Sequence, residues 1–164
     1  MRRLALMGRL GRAGVVAATV LCVAVGIAGV AAADDSVRLT SRLGDFCLDA
    51  PSGDYFAAVV INPCADTDSQ RWYLNGKQLQ NVAFPGGCLI NQAVSGNPSG
   101  GGMFAHLGPC AGMWPQDWNI DPNGQVKNDT GWYCLTVLGG PAPGTWVSAR
   151  YCNGDPSQGW DVTA

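Results

Sequence analysis

The 164 residues include twelve aspartates, no glutamate and a single histidine, and their formal charge of −2 is spread unevenly along the chain. After Ala33, six basic residues (Arg38, Arg42, Arg71, Lys77, Lys127 and Arg150) stand against all twelve aspartates, a net charge of −6. A surface of that sign repels phosphate backbones, which argues against nucleic acid as a partner.

The chain opens with Arg2, Arg3, Arg9 and Arg12, followed by an apolar run from Ala13 to Val30 and the small-residue triplet Ala31-Ala32-Ala33. This order predicts a secretion signal over residues 1–33, cleaved before Asp34, and hence a secreted or extracytoplasmic protein. The same run is long enough to span a bilayer, so a retained leader would instead tether the domain outside the cytoplasm. Residues 34–164 fit one compact domain.

Along that domain the pattern is strand and turn. Tyr55 to Ile61 is rich in aromatic and β-branched residues and predicts a strand, and Asn75-Gly76 predicts a tight hairpin. Ser95 to Gly102, with Asn97-Pro98 inside it, reads as an exposed flexible loop. A second hairpin is expected at Asn123-Gly124, and further strands at Trp132 to Val137 and Trp146 to Ala149. No segment after Ala33 carries a helical period.

Aligned on cysteine, the domain is a threefold repeat, over about 44–82, 85–128 and 131–162. Unit one holds Phe46-Cys47-Leu48-Asp49, then Cys64, then Gln70-Arg71-Trp72. Unit two holds Gly87-Cys88-Leu89-Ile90, then Cys110, then Gln116-Asp117-Trp118. Unit three holds Tyr133-Cys134-Leu135-Thr136, then Cys152, then Gln158-Gly159-Trp160. In each, Gln follows the second cysteine by six positions and Trp by eight, while the interval between cysteines varies as 17, 22 and 18. Each unit therefore has a fixed frame and one loop free to change length.

Of the seven cysteines Cys22 lies in the predicted leader, and the even set of six after Ala33 implies disulfides in an exported chain, with equivalent units implying pairing within each: Cys47 with Cys64, Cys88 with Cys110, Cys134 with Cys152. Each closure is worth roughly 3 kcal/mol in the chain-entropy picture. One unit cannot bury its own apolar face, so the three must pack around a shared centre of leucines and of Trp72, Trp118 and Trp160. The glutamines Gln70, Gln116 and Gln158 are expected to satisfy turn backbone groups beside those indoles.

The pattern Cys-Leu-Asp, then Cys, then Gln-x-Trp, repeated three times with substitutions, resembles the ricin B-type lectin family, from about Phe46 to Val162. The resemblance implies an all-β fold, a β-trefoil with pseudo-threefold symmetry, and a carbohydrate-binding (lectin-like) module. It also implies where a sugar site would sit: an Asp two residues after the first cysteine, a hydrogen-bonding residue four before the second, an aromatic platform two before it, and a polar residue beside the Gln.

No unit keeps the whole set. Unit one offers Asp49, Val60, Asn62, Ser69 and Gln70; unit two offers Ile90, His106, Gly108, Pro115 and Gln116; unit three offers Thr136, Ser148, Arg150, Ser157 and Gln158. Unit one is the preferred candidate, with Asp49 as acceptor, Asn62, Ser69 and Gln70 as polar partners, and Tyr55 or Phe56 as a displaced platform. Asp49 has an equally simple reading as a strand-end turn residue. Trp114 offers a further platform in unit two, and His106 is expected on a solvent-facing strand position.

Catalysis has little to stand on. Without glutamate, a glycosidase would need two aspartates, and those at 45, 49, 54, 66 and 68 read as solvated turn residues. The lone His106 has no Gly-x-Ser-x-Gly partner, and the repeat cysteines leave neither a thiolate nor a zinc cluster. No metal, cofactor or catalytic residue is expected. Asn128-Asp129-Thr130 is a glycosylation sequon by composition. The alternative to a secreted sugar-binding module is a trefoil scaffold with decayed pockets, whose loops bind protein or cell-envelope components.

Overall fold

The computed structural model describes residues 35–91 and 103–164, with Met103 and Phe104 described as backbone only. The predicted leader and the loop expected over Ser95 to Gly102 lie outside the described residues. Ala33–Ala164 form one compact unit. Twelve strands run through the described residues: β1 (Ser36–Ser41), β2 (Phe46–Asp49), β3 (Val60–Pro63), β4 (Trp72–Asn75), β5 (Gln78–Asn81), β6 (Gly87–Asn91), β7 (Met103–Pro109), β8 (Trp118–Ile120), β9 (Val126–Asn128), β10 (Tyr133–Val137), β11 (Thr145–Tyr151) and β12 (Trp160–Thr163).

Six of these strands close a barrel. β1 pairs with both β4 and β12, β4 with β5, and β8 with β9, all antiparallel. The gaps are bridged by Trp118 N donating to Lys77 O (2.8 Å) and by Trp160 N donating to Gly124 O (2.9 Å). The other six form three hairpins, β2–β3, β6–β7 and β10–β11. These lean on one another through β3–β11 and β7–β11 pairing and an Ala58–His106 bridge, capping one end of the barrel. A six-stranded barrel with a triangular hairpin cap is a β-trefoil, and closure leaves the barrel strands without free edges.

The core is assembled from equivalent positions of the three units. Leu48, Leu89 and Leu135 are fully buried, as are Trp72 and Trp160, with Trp118 nearly so. The bonds Cys47–Cys64, Cys88–Cys110 and Cys134–Cys152 are all present, with Cα separations of 4.9, 5.0 and 5.0 Å.

Two local expectations change. The strand expected over Tyr55 to Ile61 begins only at Val60, because Phe56 takes a left-handed φ of 73° and Ala57 N turns back onto Asp54 O (2.9 Å). The domain also contains helical turns: single 3-10 turns at Asp68–Gln70, Trp114–Gln116 and Pro156–Gln158, one before the Trp of each Gln-x-Trp triplet. Three residues are too few to show a period in sequence.

Candidate functional site

Each Gln-x-Trp triplet ties its own unit together. The indole N–H of Trp72, Trp118 and Trp160 donates to the carbonyl of Leu48, Leu89 and Leu135 at 3.1, 2.9 and 2.9 Å. The 3-10 turn swings each Gln back toward the second cysteine. There Gln70 Oε1 accepts from Ala65 N (2.8 Å), Gln116 Oε1 from Ala111 N (2.8 Å), and Gln158 Oε1 from Asn153 N (3.0 Å). The matching Nε2 groups donate to the carbonyls of Pro63, Pro109 and Tyr151. This is the turn-satisfying role that the repeat predicts.

The second residue after each first cysteine lies beside that Gln, and here the units diverge. In unit one, Asp49 Oδ2 accepts from Asn62 Nδ2 (2.9 Å) and Gln70 Nε2 (3.2 Å). Asp49 is 6 % exposed, and its Oδ1 is enclosed without a hydrogen-bond partner. Asn62, at the platform position, is drawn onto Asp49 and also accepts from Gly144 N (2.9 Å). The Ser69 hydroxyl pairs instead with Thr67 Oγ1 (3.2 Å). The structure thus brings Asp49, Asn62 and Gln70 together and turns the Ser69 hydroxyl away.

Tyr55 and Phe56 are both exposed, but the Phe56 ring lies 5.5 Å from that of His106, over unit two. The ring in register with Asp49 comes from unit three. Asp49 pairs with Val60, which pairs with Trp146, so pleating sets all three side chains on one face. Trp146 is 40 % exposed. Sequence reasoning placed it in a strand without a role, because the contact joins units 86 positions apart in sequence.

In unit two, Ile90 pairs with His106, and both are buried. His106 is 1 % exposed, which corrects its expected solvent-facing position. Ala58 and Phe56, delivered by the turn before β3, roof it over. Trp114 stands on its 3-10 turn at 59 % exposure, while the neighbouring Pro115 is buried. Asn128 of the sequon is also buried, its Oδ1 accepting from Thr130 Oγ1 (3.0 Å) and Tyr133 N (3.1 Å), so that it caps the turn into β10.

Unit three is open. A cleft of about 460 Å³ is lined by Thr136, Arg150, Asn153, Asp155 and Ser157, with Leu43 and the Gly139-Gly140-Pro141 loop at its margins. Thr136 Oγ1 donates to Cys134 O (2.7 Å) and accepts from Gln158 Nε2 (3.3 Å). Asp155 Oδ1 accepts from Ser157 N (2.9 Å), and bonding to Ser157 holds the Asp155 carboxyl below its usual range. Thr136 pairs with Ser148, and Cys134 with Arg150, so Thr136, Ser148 and Arg150 share a face. The next residue, Tyr151, also lines the cleft and stacks on Tyr133 with centroids 4.6 Å apart.

A family model described as the ricin-type beta-trefoil lectin domain matches residues 91–164. Among solved structures, a designed threefold-symmetric protein, ThreeFoil, superposes with a TM-score of 0.68 at 20 % identity, over 80 % of this chain and 99 % of its own. The agglutinin from Abrus precatorius gives 0.63 at 20 % identity, over 77 % of this chain and 47 % of its own. The C-half of an earthworm R-type lectin, solved in complex with GalNAc, gives 0.63 at 12 % identity, over 79 % of this chain and 98 % of its own. Uncharacterized proteins of Mycobacterium tuberculosis and Mycobacterium bovis are 50 % identical over 163 residues, 98 % of this chain and of theirs.

The chain belongs to the ricin-type β-trefoil lectin family. Within this lectin domain no group of three or more His, Cys, Asp or Glu residues is arranged to hold a metal ion, among the described residues. The three positions where the family pattern would place a sugar are occupied unequally: folded onto its own side chains in unit one, roofed in unit two, and open in unit three.

Proposed function

We propose that this ricin-type domain is an exported, noncatalytic carbohydrate-binding module whose principal site is the unit-three cleft. The observation that carries this reading is the open volume beside Thr136, lined by Arg150, Asn153, Asp155 and Ser157 among other residues, at the position where the family pattern would put a ligand. Hydroxyl, amide, carboxylate and guanidinium groups in a shallow cleft match the dense donors and acceptors of a sugar ring. The sugar complex of the earthworm lectin relative supports carbohydrate as the ligand class.

A second site in unit one is favoured by one feature. An enclosed carboxylate oxygen without a donor costs about 1–3 kcal/mol. A ligand hydroxyl reaching Asp49 Oδ1 would remove that cost, with Asn62, Gln70 and Trp146 around it.

Glycan-array binding by the disulfide-bonded protein tests both. Gly140→Trp adds a ring at the margin of the unit-three cleft, where a Cβ meets nothing within 4 Å. Binding abolished by Gly140→Trp and kept by Asp49→Asn supports the unit-three site. The reverse pattern moves the site to unit one. No glycan signal for the unsubstituted protein rejects the sugar reading and leaves the trefoil as a scaffold contacting protein or envelope components through exposed loop aromatics such as Trp114 and Trp132.

A further inference from the structure

The residue that stands where the family pattern puts an aromatic platform in the open cleft is a cation, and its surroundings are unusual for this domain. Aspartates outnumber basic residues two to one after Ala33, so a basic side chain readily finds a carboxylate. Arg38 pairs with Asp66, Arg42 with Asp161, Lys77 with Asp129 and Lys127 with Asp121. Arg71 Nε donates to Ser36 Oγ at 2.9 Å. Among the described residues, Arg150 alone of the six basic side chains has neither an ion pair nor a hydrogen bond to its side chain, and it is half-buried against the cleft.

A guanidinium offers a flat face that packs against a sugar ring as an aromatic does, and a planar fork of donors that fits a carboxylate in two parallel bonds. The cleft's own carboxylate does not meet that need, since Asp155 is turned to the Ser157 amide as the cap of its 3-10 turn. Asp155 remains available to accept from sugar hydroxyls, as do Thr136 and Ser157. The charges are thus divided across the cleft: an unpaired cation for an acidic group, and acceptors for neutral hydroxyls.

We propose that the unit-three cleft selects a sugar bearing a carboxylate, a uronic or sialic acid residue, and that Arg150 is the residue that sets this preference. The inference rests on the carbohydrate reading above. It predicts that the surrounding negative charge disfavours acidic glycans in general, so that the preference is local to the Arg150 fork and weakens as salt screens it.

The test compares calorimetric affinities for an oligosaccharide ending in a uronic or sialic acid, its carboxyl-reduced neutral counterpart, and a sulfated analogue of the same backbone. The expected result is binding about tenfold or more tighter for the carboxylate than for the neutral sugar, as a charge-assisted fork implies. Arg150→Gln should erase that difference, bringing the carboxylate sugar to the affinity of its neutral counterpart in the same variant, and should leave the thermal midpoint unchanged, because no ion pair or hydrogen bond to the Arg150 side chain holds the fold. Arg150→Lys should retain only part of it, keeping the charge without the fork. Equal affinities in the unsubstituted protein, a preference for the sulfate ester, or a carboxylate preference that survives Arg150→Gln would overturn the inference and leave sugar binding intact. Absence of binding to all three sugars while the array shows binding to other glycans would overturn this inference alone, and no glycan signal at all for the unsubstituted protein would remove the carbohydrate reading and this inference with it.

Discussion

Gln70, Gln116 and Gln158 are buried polar side chains whose amides are spent on backbone, and that makes them costly to remove. Truncation of Gln158 to Ala would leave Asn153 N and Gly154 N without an acceptor, and Tyr151 O and Thr136 Oγ1 without a donor. At about 1 kcal/mol per net bond, with a further cost for groups left buried, Gln158→Ala is expected to destabilise by about 2–4 kcal/mol in urea unfolding. Gln70→Ala should cost at least as much, because it also strips a donor from the buried Asp49 carboxylate. In an Asp49→Ala background that excess should vanish, and additive costs in the double-mutant cycle would mean the pair is not coupled. The glutamines were legible because their offset from cysteine recurs three times. Asp49 was not, since its type is compatible with a sugar acceptor and a turn residue alike, and only the enclosure by Asn62 and Gln70 distinguishes its present state. Trp146 was missed as a neighbour of a site because its significance depends on strand register, which a spacing does not record; Arg150 was placed in the unit-three set by its offset from Cys152, but its lack of a partner was not legible there.

The varying loop of each unit lies inside its cysteine-bridged hairpin, and the bridge explains why that loop can change length. Each bridge ties the start of a hairpin to its end, so residues between the cysteines are held at both ends whatever their number. Because loop-closure entropy depends on the logarithm of loop length, intervals of 17, 22 and 18 residues give nearly the same stabilisation. Replacing Cys88 and Cys110 together by Ser is therefore expected to cost about 3 kcal/mol, within about 1 kcal/mol of the Cys134 and Cys152 pair. Urea unfolding of the two double variants measures this, and a much larger loss in unit two would show that its bridge holds native packing that the others do not. At this scale the sequence was partly readable. The hairpins at Asn75-Gly76 and Asn123-Gly124 stand where the turn chemistry puts them, with Gly76 and Gly124 at φ of 62° and 87°. The strand before Pro63 was read too long because apolar composition alone does not reveal that Phe56 serves as a roof for the neighbouring unit.

A threefold repeat closes only if its last unit meets its first, and that meeting is the part of the molecule least visible in the repeat itself. β1 pairs with β12, and Arg42, at the end of β1, seals the seam by donating to Asp161 Oδ1 (2.8 Å) and to Asn123 O (2.7 Å). The guanidinium crosses Gly124 and the Arg42 stem crosses Gly159, so the seam depends on backbone with no side chain beneath it. Gly76 and Gly124 separate the conformational cost of such a site from the steric one. Both have left-handed φ, so Ala at either position costs about 1–2 kcal/mol from backbone strain. At Gly76 a Cβ meets nothing within 4 Å, and Gly76→Ala should cost no more than that. At Gly124 the Cβ would run into the Trp160 carbonyl and the Arg42 guanidinium, so β12 or the β8–β9 turn must move and the seam must open. Gly124→Ala is therefore expected to exceed Gly76→Ala by about 1–2 kcal/mol in thermal or urea unfolding, with early loss of amide protection at Trp160 in hydrogen exchange. Equal costs at the two glycines would mean that the seam tolerates displacement, and that the barrel is held by its internal strand pairs rather than by the junction of its first and last units.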